Sequence, residues 1–341
     1  MGILTRIGPR GALAIGMIAA IVVVTVPLLA SGGVRCRTFD VDCPRTASAV
    51  PEPGRTRIRL TAEEAAVQGS YAALGDSYSS GEGAYVLAAD LDPRNRCHRT
   101  SQSYVHTVER TFVFPGGTRF WACSGARVEH LLKGKAGEPP QIDRADAGTS
   151  LVTLSIGGND LGFTRVLAGC IVRLPWSPSC EHQDVELAAR KPALRVALTG
   201  VVARLVERAP KARIILLGYP RLFAEERGES LDNLSITDQR WLNSKGSELN
   251  ELIREVAQRA DEGIVAAGGA GSVEFIDLYS AFTGHEVGSG VPFVNGLDVD
   301  LKALKVEIRS YHPTAVGYAA LAENVVRQIR RGPDRDLNQW K

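Results

Sequence analysis

Five short, mostly apolar runs, at residues 71–74, 119–122, 151–156, 213–217 and 273–278, punctuate the chain at intervals filled by helix-like sequence. Runs this short suit strands buried on both faces. Between them lie apolar stripes at helical spacing. Leu194, Leu198, Val201, Val202 and Leu205 form one, with Pro192 where a first helical turn accepts it. Leu242, Leu249, Leu252, Ile253 and Val256 form another, and Tyr318, Leu321, Val325 and Ile329 a third. Strands separated by helices require a parallel sheet covered on both faces, the α/β class. Ligands of such sheets bind beyond the carboxyl ends of the strands. The residues just after each run are therefore where chemistry is to be sought.

The first run leads into Gly75-Asp76-Ser77-Tyr78-Ser79-Ser80-Gly81-Glu82-Gly83. A serine at a strand-to-helix turn presents its hydroxyl, and its own N–H sits at a helix N-terminus that favours negative charge. That suits a nucleophile whose reaction creates an oxyanion, although an isolated Gly-Asp-Ser is more often a capped turn. The second run ends in Cys123-Ser124-Gly125-Ala126 and the third in Gly157-Gly158-Asn159-Asp160. Three consecutive strand ends thus offer a serine, a glycine N–H and a side-chain amide, the parts of a nucleophile and an oxyanion hole. A base stands near the C-terminus. His312, in Ser310-Tyr311-His312-Pro313-Thr314, precedes the last helix, whose start the proline fixes. An imidazole within reach of Ser77 would take its proton and return it to the leaving group.

Gly75-Asp76-Ser77, Gly125, Gly158-Asn159-Asp160 and His312 resemble, in order and spacing, the four signature blocks of the SGNH (GDSL-type) hydrolases. The fuller motifs are similar to those of secreted actinobacterial esterases and lipases, over about residues 70–331. The resemblance implies a flavodoxin-like three-layer α/β/α sandwich and hydrolysis of carboxylic esters through an acyl-enzyme. It implies an oxyanion hole from the Ser77 N–H, the Gly125 N–H and the Asn159 side chain, and it calls for no cofactor or metal. Many relatives carry an acid three residues before the histidine, where this chain has Arg309. The Arg309 main-chain carbonyl is then the expected partner of the His312 ring, with Asp298 or Asp300 as the lesser alternative. Relatives often follow Gly-His-Glu with a cysteine; here Gly284-His285-Glu286 is followed by Val287, which predicts a less braced loop.

Arg6 and Arg10 precede an uncharged stretch over 11–34, a positive start and apolar run that mark an export signal. Cleavage near Ala30-Ser31-Gly32 and retention as a membrane anchor are both readable, and the length leans to an anchor. The charge asymmetry places the remainder outside the cytoplasm. Residues 35–68, with Pro44, Pro51, Pro53 and Gly54, read as a linker, 69–331 as the catalytic domain and 332–341 as a loose polar tail. Six cysteines fit an oxidising compartment, with Cys36–Cys43, Cys97–Cys123 and Cys170–Cys180 as the expected pairs among the connectivities sequence leaves open. A zinc site lacks any C-x-x-C pair.

A net charge of +2 over 341 residues, evenly spread, argues against a nucleic-acid partner. The α/β-hydrolase elbow G-x-S-x-G fails at Ser79, and His285-Glu286 lacks the second histidine of a metalloprotease motif. Asp76, Glu82, His98 and His106 read as capping or surface residues. Gly81, Gly83 and Ala84 leave room beside Ser77 for an acyl chain. The expected substrate is an acyl ester, a lipid or acylated glycan. An idle surface module binding such a ligand is the alternative outside catalysis, and an acyltransferase using the same residues the alternative within it.

Overall fold

A computed structural model of the chain describes residues 57–171, 176–225, 234–300, 302 and 305–340. The expected export segment, the Cys36–Cys43 pair and most of the expected linker lie outside these residues. Among the described residues no helix is long and apolar enough to cross a membrane.

In chain order the elements are β1 (Arg57–Leu60), α1 (Ala62–Val67), β2 (Ser70–Gly75), α2 (Ser77–Ser80), α3 (Tyr104–Thr111), β3 (Thr118–Phe120), α4 (Val128–Lys133) and β4 (Thr149–Ser155). There follow α5 (Gly158–Leu161), α6 (Phe163–Ile171), α7 (Asp184–Arg208), β5 (Arg213–Leu217), α8 (Ile236–Ala266), β6 (Ser272–Ile276) and α9 (Leu278–Ala281). A small hairpin, β7 (Val299–Asp300) and β8 (Lys305–Val306), then precedes α10 (Ala315–Arg331) and β9 (Leu337–Trp340).

The five expected runs form one parallel sheet in the order β3-β2-β4-β5-β6. Every residue of β2, β4 and β5 is buried, which is why these strands lack a polar alternation. Helices α1, α3 and α10 pack together, as do α4, α7 and α8, giving the three-layer α/β/α sandwich. Counted from β2, the strand order is the flavodoxin-like one, whose direction reverses between β2 and β4. The crevice at that reversal lies between the Gly-Asp-Ser turn and the Gly-Gly-Asn-Asp turn.

Three expectations need correction. The linker does not extend to residue 68, since 57–67 contribute β1 and α1. A reciprocal cap starts α1: the Glu64 N–H donates to Thr61 Oγ1 while the Thr61 N–H donates to Glu64 Oε2. Nor is the tail loose throughout, because β9 pairs antiparallel with β1 and buries Leu337. Pro192, finally, lies inside α7 and not in its first turn, as the helix begins at Asp184. Losing one main-chain donor there costs on the order of 3 kcal/mol. The stripe from Leu194 to Leu205 is buried as expected, and Lys191 and Arg195 reach across to Glu248 and Glu255 of α8, holding the turn on both sides of the proline.

Candidate active site

Ser77 is placed by the end of β2. Gly75 takes φ +129°, and a Cβ there would lie 2.4 Å from the Ser155 carbonyl oxygen of β4, so only glycine fits. Asp76 then caps α2 by accepting the Tyr78 N–H at 3.0 Å. Its buried carboxylate also accepts hydrogen bonds from the Ser155 and Tyr219 hydroxyls, and the Tyr219 oxygen in turn accepts the Gly158 N–H at 3.0 Å. This buried relay ties the ends of β2, β4 and β5 together. Burial pushes the Asp76 carboxyl up to about 6, against the lowering effect of its donors. The sequence offers Asp76 only as a capping or surface residue; its wider role escapes sequence because Ser155 lies on β4 and Tyr219 just after β5.

Ser77 opens α2 and is 7% exposed. As the first residue of a helix its N–H has no intrahelical acceptor. Gly125 is exposed on the turn after β3, and the Asn159 amide lies against that turn, donating one hydrogen to the Ala126 carbonyl at 3.0 Å. The neighbouring Asp160 carboxylate accepts the Val128 N–H, which locks the turn after β4 onto the turn after β3. The disulfide Cys97–Cys123 braces the same turn from the other side, and the Ser124 N–H donates to the Cys97 carbonyl at 3.0 Å. Cys170–Cys180 is also formed, between the end of α6 and the approach to α7.

His312 is held against the segment that follows Ser77. Tyr311 before it adopts φ +61°, a strained backbone for a residue with a side chain. That conformation is fixed by bonds to both neighbours: the Tyr78 hydroxyl donates to the Tyr311 carbonyl at 2.7 Å, and the Asn295 N–H donates to the His312 carbonyl at 2.9 Å. The Tyr78 ring also packs 5.4 Å from the imidazole. Desolvation lowers the His312 pKa from 6.5, which keeps the ring neutral at neutral pH.

Ser77, Gly125, Asn159 and His312 all line one cavity of about 630 Å³. Its far wall is apolar, built from Phe163, Leu167 and Ile171 of α6, Leu242 and Leu249 of α8, and Leu222 after β5. The acyl space expected beside Ser77 at Gly81 and Gly83 is not there. The Cβ position at Gly81 is filled by Thr100 Oγ1 at 2.3 Å and that at Gly83 by His312 Cβ at 2.7 Å. Ala84 is buried.

Residues 73–320 match the model of the GDSL-like lipase/acylhydrolase family. The chain belongs to that family. It is 34% identical to Lipase 1 of Streptomyces coelicolor over 75% of its own length and 84% of that protein's. Among solved structures it resembles phospholipase A1 of Streptomyces albidoflavus NA297, at 30% identity and a TM-score of 0.62, covering 76% of this chain and 99% of that one. It also resembles the extracellular lipase of Streptomyces rimosus, at 30% identity and a TM-score of 0.61 with the same coverage. This GDSL-family member is accordingly a carboxylic ester hydrolase.

The expected partner of the His312 ring is the point where structure and sequence part. The Arg309 carbonyl accepts the His312 main-chain N–H at 3.1 Å and not the ring. His312 Nδ1 is buried without a hydrogen-bond partner, and the main chain at Ile308 and Ser310 lies close enough only to favour the ring's charged form. The Arg309 side chain turns away to pair with Asp298, and Asp300 accepts the Lys302 N–H. The Ser310 N–H donates to the Glu307 carbonyl at 3.0 Å, and this turn engages the Arg309 carbonyl with the main chain of His312. The loop after Gly284 is braced without a cysteine. The His285 ring stacks on Phe293 at 3.8 Å, buried Glu286 accepts the Gly284 N–H, and the Val287 N–H donates to the Leu222 carbonyl.

Proposed function

We propose that this chain is an exported esterase for long-chain acyl esters, with Ser77 as nucleophile and His312 as base. Ser77 Oγ attacks the ester carbonyl carbon as the imidazole takes its proton. The oxyanion is met by the Ser77 and Gly125 N–H groups and by the second hydrogen of the Asn159 amide. Collapse expels the alcohol, which takes the proton back from His312, and water then releases the acid by the same two steps. The observation that carries this reading is the convergence of the four groups on one cavity at the strand-order reversal. The apolar wall supports an acyl chain of some length, since a short acetyl group would leave most of it unfilled. Export is supported by the positive start and apolar run before residue 35, by the two disulfides and by the extracellular lipase among its relatives.

The test is hydrolysis of p-nitrophenyl butyrate and palmitate by the parent, Ser77→Ala, His312→Ala and Arg309→Ala. The first two substitutions are expected to lower kcat by about 10³-fold or more, and Arg309→Ala to leave it within a few fold. The palmitate ester should show the higher kcat/KM. Retained activity in Ser77→Ala would sink the assignment, and a preference for butyrate would sink the long-chain reading.

A further inference from the structure

The histidine of this site has no side-chain acid bonded to it, yet the segment packed against it carries a buried carboxylate. Glu82 is 0% exposed, and its Oε1 is enclosed without a hydrogen-bond partner. The same holds for Nδ1 of His312. Both belong to segments in direct contact. The backbone of Gly83 abuts His312, as its 2.7 Å Cβ clearance shows, and Asn295 Nδ2 bridges the Gly83 and His312 carbonyls at 3.4 and 3.0 Å. The Tyr318 hydroxyl lies within hydrogen-bond distance of the Ser77 and Glu82 carbonyl oxygens, fixing the Glu82 backbone relative to the nucleophile.

A carboxylate fully withdrawn from water is costly unless a partner offsets its desolvation. The partner here is His98, whose Nδ1 lies 2.7 Å from Glu82 Oε2 and whose pKa that bond raises. His98 is itself held at φ +50°, a further strained residue next to the site. The charged groups that act on the His312 ring are Glu82, which favours its protonated form, and His98, which opposes it. Around them, Tyr78 packs on the ring, Tyr318 stands behind Ser77, Lys135 acts on His98, and Arg309 is neutralised by Asp298.

We propose that Glu82, held from behind by His98, is a positioning residue that supplies the negative charge an acid would otherwise bring to His312. It takes no proton. The Ser77 proton passes to the imidazole, and the Glu82 field stabilises the imidazolium until the leaving alcohol reclaims that proton. This rests on the reading of Ser77 and His312 as the reacting pair.

The test is the pH profile of kcat/KM for p-nitrophenyl butyrate, using the full chain and the variants Glu82→Gln, Glu82→Asp and His98→Gln, with Ser77→Ala as control. Removing the carboxylate charge lowers the His312 pKa, so the acid limb of Glu82→Gln moves down by about half a unit and its plateau kcat falls about tenfold. Glu82→Asp restores part of both. Removing the His98 charge while keeping a donor moves the limb the opposite way, to higher pH. Limbs that stay in place, or that move in the same direction in both variants, would overturn the proposal and leave Glu82 a structural residue. Should Glu82→Gln fail to fold, Glu82→Asp decides, since a limb moved down by part of that shift upholds the proposal and an unmoved limb overturns it. Activity surviving in Ser77→Ala would instead remove the underlying assignment, a failure distinct from an unmoved limb.

Discussion

At the residue scale the site is a set of ionisable groups tuned by burial. Asp76 has a carboxyl pKa of about 6 in the fold against an ordinary 3.8. Between those values the folded protein keeps a proton that the unfolded chain has released, so this group's contribution falls as pH rises from about 4 to about 6. The loss is on the order of 2–3 kcal/mol. Asp76→Asn cannot ionise and is expected to escape it. Urea unfolding at about pH 4.5 and 7.5 should show the parent losing about 2 kcal/mol relative to the variant between the two conditions; a constant difference would contradict the shift. His312 is displaced the other way, so the acid limb of kcat/KM is expected below 6.5 in the parent, and a limb above that value would refute a buried neutral base. Ser77 and His312 could be proposed from the sequence because each sits in a motif whose neighbours fix its backbone. Glu82 was not, although it lies inside the same Gly-Asp-Ser block, because nothing local distinguishes a buried glutamate from a surface one.

At the element scale, catalytic precision depends on turns that leave no room for a side chain. Gly83 has φ +94°, and a Cβ would meet His312 Cβ at 2.7 Å and the Pro313 carbonyl oxygen at 3.2 Å. Gly83→Ala is expected to displace the histidine loop and lower kcat by about a hundredfold, since a shift of about 1 Å at a reacting group suffices for that. Far-ultraviolet circular dichroism should stay that of the parent, while unchanged kcat would show that the loop yields without moving the ring. The strands were legible at this scale to within a residue or two, because burial on both faces leaves a continuous apolar run. The start of α7 was not. Pro192 is a helix-start signal only when no tertiary contact carries the helix past it, and here the bridges to α8 do so.

At the scale of the whole molecule, the two ends of the described chain close on each other, and one buried ion pair fastens that closure. Arg213 of β5 is 0% exposed and bonds Glu274 of β6 through two parallel contacts of 2.8 and 2.7 Å. Its remaining hydrogens reach the Ala62 carbonyl of α1 and the Gln328 and Ile329 carbonyls of α10. Glu274→Ala strands this guanidinium, and a loss of about 3–5 kcal/mol is expected in urea unfolding, with kcat of the remaining folded enzyme unchanged. A loss below about 1 kcal/mol would show that water or other carbonyls replace the carboxylate. The alternation of strand and helix, the strand-end motifs and the family they belong to were determined by the sequence alone, because backbone period and turn chemistry act over a few residues. Only the tertiary structure decided that the Arg309 carbonyl bonds the His312 main chain, where the apolar-walled cavity opens, that Glu82 is buried and that residues 57–60 pair with 337–340. Each of those depends on groups brought together from distant parts of the chain, and such meetings leave no local period to read.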